Sequence, residues 1–592
     1  MIKVSDYIAG RLKEVYGVHH VFMVSGGGAM HLNDSFGQHL NYICNHNEQA
    51  SGIAGEGYAR YAQKLGVVNV TTGPGGLNSL NGLFGSWTDS VPVLFISGQV
   101  KFSTTIESCR EIPLRQLGDQ EVDIISVVKS LTKYAAMIKD VGMVKYHLDR
   151  AVYEATHGRF GPVWLDVPMN IQGAMMNEDE QAKFVPSSPV TYDCRVPEVL
   201  ERLSCAKRPL IVAGHGIRLS GAFEEFRQLL ESFKVPVVTT FNGFDLLEDE
   251  HPLYVGRIGT VGQRAGNFAL QNADCVLFLG TRNNIRQVSY NWENFASRAF
   301  KIVVDIDDAE LHKPTLHPDL PVLADVKIFL KELTSQMQPV EHRTWMNWCI
   351  ARREKYSAEN TPQYRHTDKI NVYGFVRQLT QLMDENDVLV AGNGSACVCL
   401  FQAGVVKKGQ RQFLNSGDAS MGYDLPAAIG ACMASGRRTI CLTGDGSIMM
   451  NIQELETIRH HNLPVKIFII NNDGYSSIRQ TQNNFFEGRH CGDGPESGVS
   501  IPDFVKVGVA FGIPSLRVNL PEAMEEAIQT TLDSDGPMIC EVMVNPDYIF
   551  TPKLSSRILE DGTMISPSLE DMFPFLNKGE LYLNFGEDIH NA

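Results

Sequence analysis

Short apolar runs alternate with helical patterns along nearly the whole chain, and this alternation constrains the fold more than any other feature. Ten of the runs are rich in β-branched residues and end at or beside Gly, Pro, Asp or Asn. Such alternation is typical of parallel α/β sheets. The ten predicted strands are residues 67–72, 93–97, 163–167, 210–213, 235–240, 275–279, 301–305, 388–391, 439–443 and 465–470.

The length of 592 residues exceeds what one hydrophobic core normally organises. Two polar stretches, 177–193 and 352–367, separate three units of ordinary domain size. We therefore predict three doubly wound parallel-sheet α/β domains at 1–180, 190–345 and 365–560, followed by a C-terminal tail at 561–592. Ligands of such sheets bind beyond the carboxyl ends of the strands, so the loops after these runs are expected to carry the functional residues.

Charge and cysteine content exclude several classes of protein. The formal net charge is −16, whereas nucleic acids and anionic membranes select clustered Lys and Arg. Twelve cysteines without a CxxC pair predict neither a disulfide framework nor a zinc site. Neither a signal peptide nor an apolar run of the roughly 20 residues that span a bilayer is recognisable. We expect a soluble metabolic enzyme of the reducing cytoplasm, with no nucleic-acid or membrane partner.

The clearest chemical motif follows the predicted strand at 439–443. Gly444, Asp445, Gly446 and Ser447 end this run and open a helical pattern. Glycines let backbone N–H groups approach phosphate oxygens, and the helix dipole favours the negative charge. Asp445 adds a hard oxygen ligand, and Asn472 ends the next predicted strand, where its amide oxygen can face Asp445. Mg²⁺ prefers such an all-oxygen set. The sequence therefore predicts a magnesium and diphosphate site here.

The pairing of Gly-Asp-Gly with Asn-Asn 26 to 27 positions after Asp445 resembles the diphosphate motif of thiamine-diphosphate enzymes. The resemblance implies that Asp445 and Asn472 ligate Mg²⁺ by their side chains and Gly474 by its carbonyl. It places Met421 between the two rings of the cofactor. The cofactor-binding residues that it implies in this unit are Met421, Gly444, Asp445, Gly446, Ser447, Asn472 and Tyr475.

The first unit contains a segment, residues 45–60, that resembles the same family's signature around its activating glutamate. This family needs a carboxyl group that tautomerises the cofactor's pyrimidine ring, and the match places it at Glu48. Asn47 stands where the family usually has His. The Gly-Pro-Gly turn of Pro74 and Gly75, followed by Asn78, is similar to the family's pyrimidine-pocket turn. The resemblance thus assigns three domains, namely pyrimidine-binding, central and diphosphate-binding, in that order.

Within the family, the chain is most similar to the acetolactate-synthase branch, and residues 115–125 look like acetolactate-synthase-like proteins of surface-polysaccharide gene clusters. Gln120 and Arg286 match positions that serve the second substrate. The predicted catalytic residues are Glu48 and Gln120. Asp119, Met169 and Thr481 replace a Phe, a Lys and a Trp of true acetolactate synthases. The predicted acceptor-site residues are Asp119, Met169, Arg286, Ile478 and Thr481.

The resemblance implies thiamine diphosphate and Mg²⁺ as cofactors and pyruvate as the donor 2-oxo acid. The smaller and more polar residues leave the carbonyl acceptor open between a second 2-oxo acid and a ketosugar. FAD also stays open: segments 213–217 and 280–286 lie where flavin-binding members hold it, but the acidic run of those members is absent. The resemblance further implies a homodimer or homotetramer whose active sites lie between subunits.

Four alternative functions remain at this point. They are a plain acetolactate synthase, a 2-oxo acid decarboxylase without carboligation, a hydrolase of cyclic diones, and a cofactor-binding protein that has lost catalysis. The presence of both Glu48 and Asp445 argues against the last. A dinucleotide-dependent oxidoreductase is disfavoured because no predicted strand is followed by G-x-G-x-x-G with an acidic residue about 20 positions later.

Overall fold

Three parallel sheets of six strands each organise the molecule, as predicted. The computed structural model describes residues 1–188, 190–338, 340–558 and 564–585. All ten runs predicted as strands are strands, with ends that differ by up to two residues. Their side chains are buried on both faces, which explains why their sequences are apolar without alternation.

The first domain contains strands β1 (His20–Met23), β2 (Asn41–Cys44), β3 (Gly66–Val70), β4 (Val93–Gln99), β5 (Tyr134–Met137) and β6 (Val163–Pro168). Their order in the sheet is β2-β1-β3-β4-β6-β5. Its helices are Val4–Glu14, Met30–His39, Glu48–Ala62, Pro74–Asn78, Leu80–Thr88, Ile124–Val128, Val144–Thr156 and Met169–Gln172. A short antiparallel pair, Ile2–Lys3 with Met175–Met176, joins the two ends of this domain.

The central domain contains β7 (Pro209–Ala213), β8 (Val237–Thr239), β9 (Tyr254–Arg257), β10 (Cys275–Leu279), β11 (Phe300–Asp305) and β12 (Leu320–Leu323). The order β9-β8-β7-β10-β11-β12 is that of dinucleotide-binding sheets. Its helices are Val196–Cys205, Gly216–Leu219, Phe223–Ser232, Arg264–Asn272, Ile285–Val288, Asp308–Leu311, Val326–Gln336 and Arg343–Lys355. Phe233–Lys234 pairs with Val340–Glu341 beside this sheet.

The third domain contains β13 (Val388–Ala391), β14 (Arg411–Leu414), β15 (Thr439–Gly444), β16 (Val465–Asn471), β17 (Ser515–Val518) and β18 (Met538–Met543). Their order, β14-β13-β15-β16-β18-β17, repeats the topology of the first domain. Its helices are Val372–Leu382, Gly394–Ala403, Asp424–Ser435, Asp445–Ile448, Glu454–His460, Ser476–Phe485, Phe504–Phe511 and Met524–Asp533.

Helices Glu48–Ala62 and Asp424–Ser435 pack the first domain tightly against the third. A Cβ atom on Gly57 would lie 2.5 Å from the carbonyl oxygen of Ala427, and one on Gly430 would lie 2.0 Å from that of Ala54. Only glycine permits so close an approach of the two backbones. Gly57 of the first domain and Gly430 of the third therefore serve helix packing.

The predicted C-terminal tail is packed rather than extended over its described part. Helix Lys578–Phe585 contacts the central domain, and Leu569 and Met572 are buried. Asn267 Nδ2 donates to the carbonyl oxygen of Leu569 at 3.1 Å. Residues 561–563 and 586–592 of the predicted tail lie outside the described residues.

The predicted end of the central domain at 345 falls inside a helix. Helix Arg343–Lys355 buries Trp345 and Cys349 in the core of the central domain. The charged residues of this helix look like the start of a linker in the sequence. The predicted end of the domain therefore lies too early in the chain. The first helix of the third domain is Val372–Leu382, and the boundary near 365 stays a prediction.

Candidate active site

Asp445 is the centre of the predicted diphosphate site, at the carboxyl end of β15. Its carboxylate accepts three backbone hydrogen bonds, from Gly446 N at 2.7 Å, Asn472 N at 3.0 Å and Gly474 N at 3.0 Å. Burial raises the pKa of Asp445 to about 6, and these N–H groups partly oppose the rise. The contacts join the ends of β15 and β16, as the parallel arrangement of the two strands requires.

Asn472, whose backbone N donates to Asp445, also has a buried amide oxygen. Its Nδ2 atom donates to Tyr548 Oη at 3.1 Å and to Ser395 Oγ at 3.3 Å, whereas its Oδ1 atom has no hydrogen-bond partner. A buried oxygen without a partner costs free energy unless a ligand satisfies it. Together with the Asp445 carboxylate it makes an oxygen donor pair that fits Mg²⁺.

Gly474 lies beside these two residues in a conformation that favours glycine. Its φ is +121°, and a Cβ atom there would lie 2.2 Å from the carbonyl oxygen of Asp493. Among the described residues no group of three or more His, Cys, Asp or Glu could hold a metal ion. The predicted site therefore depends on amide and carbonyl oxygens beside a single carboxylate, which suits Mg²⁺ better than zinc.

Five further predicted cofactor residues of the third domain meet at the start of helix Asp445–Ile448. A Cβ atom on Gly446 would lie 2.2 Å from Tyr475 Cε1 and 3.3 Å from Met421 Cε. Gly422 N donates to Ser447 Oγ at 2.9 Å, which ties the Met421 segment to the helix. No atom lies within 4 Å of a Cβ position on Gly444, so space is open at the strand end. The structure thus brings Met421, Gly444, Gly446, Ser447 and Tyr475 together.

Glu48 begins helix Glu48–Ala62 in the first domain, and its side chain is half-buried. Asn47 caps this helix, because its side chain accepts from Gln49 N at 2.8 Å. An Asn at this position is a favourable cap, which gives the departure from the family's His a local structural role. Asn78 Nδ2 donates to Glu48 Oε2 at 3.0 Å.

The Gly-Pro-Gly turn lies against Glu48. A Cβ atom on Gly75 would lie 3.4 Å from Glu48 Oε1, and Pro74 begins the short helix Pro74–Asn78 that carries Asn78. The preceding residue, Gly73, has φ +59°, and a Cβ atom there would lie 1.9 Å from the carbonyl oxygen of Gln120. Glu48, Pro74, Gly75, Asn78 and Gln120 therefore form one group at the carboxyl ends of the first sheet.

Asp119 and Gln120 lie on an exposed loop, and Gln120 has a positive φ of 62°. The neighbouring Glu121 is buried and holds this loop in place. Its carboxylate accepts from Leu117 N at 3.0 Å, from Gly118 N at 3.2 Å and from the backbone N of Ile106. The sequence did not single out Glu121, because a glutamate that binds backbone amides within a loop leaves no spacing pattern.

The other predicted acceptor residues do not form a single pocket in the described chain. Met169 lines a shallow concavity of about 370 Å³ together with Lys101 and His31. Ile478 and Thr481 lie on the exposed face of helix Ser476–Phe485. The Thr481 hydroxyl donates to the carbonyl oxygen of Ser477 at 3.0 Å, so its proton is used within the helix.

Arg286 lies between the central and third domains. Its guanidinium stacks on the ring of Phe241 at 5.4 Å and lies beside Cys397, and its Nη1 atom is buried without a hydrogen-bond partner. A cation that keeps an unused donor can bind an anionic group of a ligand.

The Glu48 group and the Asp445 group stay apart in the described chain. Asn45 Nδ2 and His46 N donate to Glu454, so segments next to both groups contact each other. Among the described residues, however, no hydrogen bond joins Glu48, Asn78 or Gln120 to the Asp445 group. The two groups therefore lie at the ends of different sheets, and we call them the Glu48 and Asp445 half-sites because the resemblance implies that one cofactor uses both.

A third site, the central cavity, has a volume of about 530 Å³. Its walls include His215 and Gly216 after β7 and Gly280 to Asn284 after β10. These residues belong to segments 213–217 and 280–286, which lie where flavin-binding members of the family hold FAD according to the sequence resemblance. They follow the adjacent strands at which the strand order reverses, where open α/β sheets bind ligands.

Polar groups inside the central cavity lack partners. Thr281 Oγ1 and Asn283 Nδ2 are buried without hydrogen bonds. Asp305 ends β11 at the cavity wall, and burial raises its pKa to about 6. A cavity of this size with several polar groups is of the kind that binds small molecules.

None of the helices in the described part of the chain is long and apolar enough to cross a membrane. All twelve cysteines are free thiols.

Comparison with protein families matches each domain separately. The N-terminal TPP binding domain of thiamine pyrophosphate enzymes matches residues 2–126, the central domain matches 196–333, and the C-terminal TPP binding domain matches 392–542. Each matched segment carries one of the three sheets or most of it.

Several similar proteins are acetolactate synthases. The Escherichia coli acetolactate synthase isozyme 2 large subunit is 31% identical over 533 residues, 89% of this chain and 93% of that protein. The Lactococcus lactis acetolactate synthase large subunit is 30% identical, over 94% of this chain and 95% of its own length. The chloroplastic Arabidopsis thaliana acetolactate synthase is 31% identical, over 90% of this chain and 80% of its own. The chain therefore belongs to the thiamine pyrophosphate enzyme family, as an enzyme of the acetolactate-synthase-like decarboxylase and carboligase type.

Proposed function

We propose that this enzyme binds thiamine diphosphate through Mg²⁺, decarboxylates pyruvate, and transfers the acyl unit to a carbonyl acceptor larger than a second pyruvate. The observation that carries the cofactor assignment is the unpartnered Oδ1 atom of Asn472, a residue whose backbone N donates to the Asp445 carboxylate. Asp445, Asn472 and the Gly474 carbonyl would hold the metal. Gly446 and Ser447 would contact the diphosphate, and the bound thiazolium ring would supply the electron sink for decarboxylation.

Glu48 would exchange a proton with the pyrimidine ring. Its carboxylate lies at the start of a helix and accepts a hydrogen bond from Asn78. Since the two half-sites lie apart in one chain, we infer that Glu48 of one subunit faces Asp445 of another in a homodimer or homotetramer. Exposed apolar side chains support such an interface. Leu77, Phe84 and Trp87 lie near the Glu48 group in the chain, and Met449 and Met450 follow the Asp445 helix.

The acceptor proposal depends on Asp119, Met169 and Thr481. Each lies at a position where the sequence lacks the bulk or the cation of true acetolactate synthases, and the Thr481 and Asp119 side chains are exposed. A ketosugar has hydroxyl groups that such polar surroundings could bind. To test this, the purified enzyme would be incubated with thiamine diphosphate, Mg²⁺, labelled pyruvate and candidate acceptors, and the products identified by mass spectrometry.

We expect Thr481→Trp to penalise a bulky acceptor and to leave pyruvate decarboxylation nearly unchanged. The indole would fill space next to Ile478, and such overpacking costs about 1–3 kcal/mol. This corresponds to a fall of about 5- to 150-fold in kcat/KM for a nucleotide-linked ketosugar relative to pyruvate as acceptor. Thr481→Val, which keeps the shape and removes only the hydroxyl, should change the ratio much less than Thr481→Trp does. A wild-type enzyme that makes acetolactate efficiently and ignores every ketosugar would refute the large-acceptor proposal.

A plain acetolactate synthase is the second candidate function. The matches at Gln120 and Arg286 favour it, and so do the acetolactate synthases among the similar proteins. The same product analysis separates the two candidates. The unpaired thiols agree with the cytoplasmic location that we infer for either enzyme.

We further propose that the central cavity binds FAD. Its position at the strand-order reversal, its volume of about 530 Å³ and its unpartnered polar atoms support a bound dinucleotide. FAD would be held by this chain's Thr281 and Asn283, among other groups, and no step of the proposed reaction requires it.

Thr281→Val tests the flavin proposal with little change of shape. The variant removes a hydroxyl that is buried without a partner in the described chain. FAD affinity should fall roughly 2- to 10-fold, the effect of one lost hydrogen bond. Flavin-free protein should be at least as heat-stable as wild type, because the unpaired hydroxyl is gone. Flavin fluorescence after denaturation measures the bound FAD, and titration of the stripped protein with FAD measures the affinity. Thermal unfolding of the stripped protein measures its heat stability. Failure of stripped wild-type protein to bind FAD would contradict the assignment.

A further inference from the structure

Tyr548 is a buried residue that contacts the side-chain nitrogen of the proposed metal ligand Asn472. It lies in the segment after β18 and is 8% exposed. Its hydroxyl accepts from Asn472 Nδ2 at 3.1 Å and also hydrogen-bonds Ser395 Oγ. Ser395 itself accepts from Asn472 Nδ2 at 3.3 Å. The two hydroxyls and the amide nitrogen therefore form a closed triangle.

This triangle determines which end of the amide points away from it. An asparagine side chain carries two N–H donors at one end and an acceptor oxygen at the other. When its nitrogen points inward, towards the Tyr548 and Ser395 hydroxyls, Asn472 donates to both of them. With its oxygen inward, it could accept from only one, because the bond between Tyr548 and Ser395 uses one of the two hydroxyl protons. The observed orientation makes more hydrogen bonds and leaves Oδ1 unpartnered on the other side.

The chemistry of a phenol allows the Tyr548 hydroxyl to act as an acceptor. A tyrosine is neutral at physiological pH and carries one donor proton and acceptor lone pairs. A neutral phenol can donate to Ser395 and accept from Asn472 at the same time. No other polar side chain among the described residues accepts from Asn472 Nδ2.

We propose that Tyr548, together with Ser395, is a positioning residue that holds the Asn472 amide with its oxygen directed at the metal. The inference rests on the proposed function, because it assumes that Asn472 ligates Mg²⁺. Groups that orient a metal ligand typically change metal affinity 10- to 100-fold when they are removed. Tyr548 is 76 residues from Asn472 in the chain, so this role depends on the return of the chain after β18.

The same segment also contacts the helix that carries the predicted acceptor residues. Phe550 N donates to Gln480 Oε1 at 3.2 Å, and Gln480 Nε2 donates to Ser476 Oγ at 3.3 Å. Tyr548 therefore belongs to a connection between the metal ligand and helix Ser476–Phe485.

The test is the Mg²⁺ affinity of the full-length protein, measured by calorimetry at a fixed concentration of thiamine diphosphate. Tyr548→Phe keeps the ring and removes the hydroxyl, and it should weaken Mg²⁺ binding about ten-fold, since Ser395 remains as one acceptor. Tyr373→Phe is the matched control. Tyr373 is buried in the same domain. Its hydroxyl donates to Gln402 Oε1 at 2.7 Å and accepts from Thr551 N at 2.9 Å, and the control variant loses both hydrogen bonds. It should bind Mg²⁺ like wild type.

A double-mutant comparison separates orientation from general damage. In an Asn472→Asp background both terminal atoms are oxygens, so the orientation of the side chain no longer matters. There, Tyr548→Phe should change Mg²⁺ affinity by no more than about two-fold, and coupling between the two positions would be large. An equal loss in both backgrounds would overturn the proposal and indicate a packing role.

The outcome for Asp445 distinguishes failure of this inference from failure of the proposed function. If Asp445→Ala abolishes Mg²⁺ binding and Tyr548→Phe binds it like wild type, the positioning role is wrong and the metal site stands. If Asp445→Ala also binds Mg²⁺ like wild type, the metal site itself is wrong, and the inference is overturned with it.

Discussion

Asp445→Ala is expected to abolish Mg²⁺-dependent binding of thiamine diphosphate. The variant removes the one carboxylate of the proposed metal site. The amide and carbonyl oxygens that remain are neutral and too few to hold Mg²⁺ on the protein. The loss should exceed the roughly 100-fold that removal of an orienting group produces. Calorimetric titration of the cofactor with and without Mg²⁺ measures it. In wild type the metal should strengthen binding strongly, and in the variant it should have no effect.

The matched control for Asp445→Ala is Asp503→Ala in the same domain. Asp503 caps helix Phe504–Phe511 by accepting from Val505 N at 3.1 Å, so the control also removes a carboxylate that binds backbone amides. It should lower heat stability and leave cofactor affinity unchanged. Asp445→Ala should lower the heat stability of the cofactor-free protein less than its hydrogen bonds suggest, because it also removes a buried charge. Unchanged cofactor affinity in Asp445→Ala would mean that the metal lies elsewhere.

The sequence predicts interior strands more readily than edge strands, and the three sheets show why. The ten runs identified in the sequence are all interior strands of their sheets, whereas all six edge strands are among the remaining eight. An interior strand of a parallel sheet is buried on both faces and leaves a continuous apolar run. Edge strands such as Leu320–Leu323, which contains Pro321, and Arg411–Leu414, which begins with Arg and Gln, carry weaker signals.

The half-site at Asp445 could be predicted because its ligands follow consecutive strands. β15 and β16 are neighbours in both the chain and the sheet, so a fixed spacing brings Asp445 and Asn472 together. The Glu48 half-site was recognisable only from the resemblance, because its helix and its turn follow β2 and β3, which β1 separates in the sheet. Tyr548 and Glu121 were not, because their contacts come from loops whose course no local pattern specifies.

The relation between the two half-sites could be inferred only from the resemblance. Nothing in the spacing of Glu48 and Asp445 indicates that they serve one cofactor, and in the described chain they lie at the ends of separate sheets. Helix Glu48–Ala62, which begins at Glu48, packs tightly against helix Asp424–Ser435 of the third domain. We therefore expect a second subunit to complete each site, which makes subunit mixing informative.

Glu48→Gln is expected to remove cofactor activation and to preserve cofactor binding. Glutamine has nearly the same shape as glutamate, but it cannot exchange a proton with the pyrimidine ring as a carboxyl group does. Loss of such acid–base catalysis typically costs 10²- to 10⁴-fold. H/D exchange at the cofactor C2 should slow by about this factor, whereas calorimetric affinity for thiamine diphosphate with Mg²⁺ should stay close to that of wild type. Glu111→Gln, an exposed glutamate on the same domain, is the control and should exchange at the wild-type rate.

Mixing subunits then decides whether Glu48 acts across an interface. A hybrid of a Glu48→Gln subunit with an Asp445→Ala subunit contains one site with both defects and one site with neither, if each site takes Glu48 from one chain and Asp445 from the other. Activity should reappear on refolding the two inactive variants together, at up to one active site per hybrid dimer. In a site formed within one chain, every site of the hybrid keeps one defect. Persistent inactivity of hybrids that are isolated by two different affinity tags would therefore exclude the shared site, because the same mixture must be active if the geometry is right.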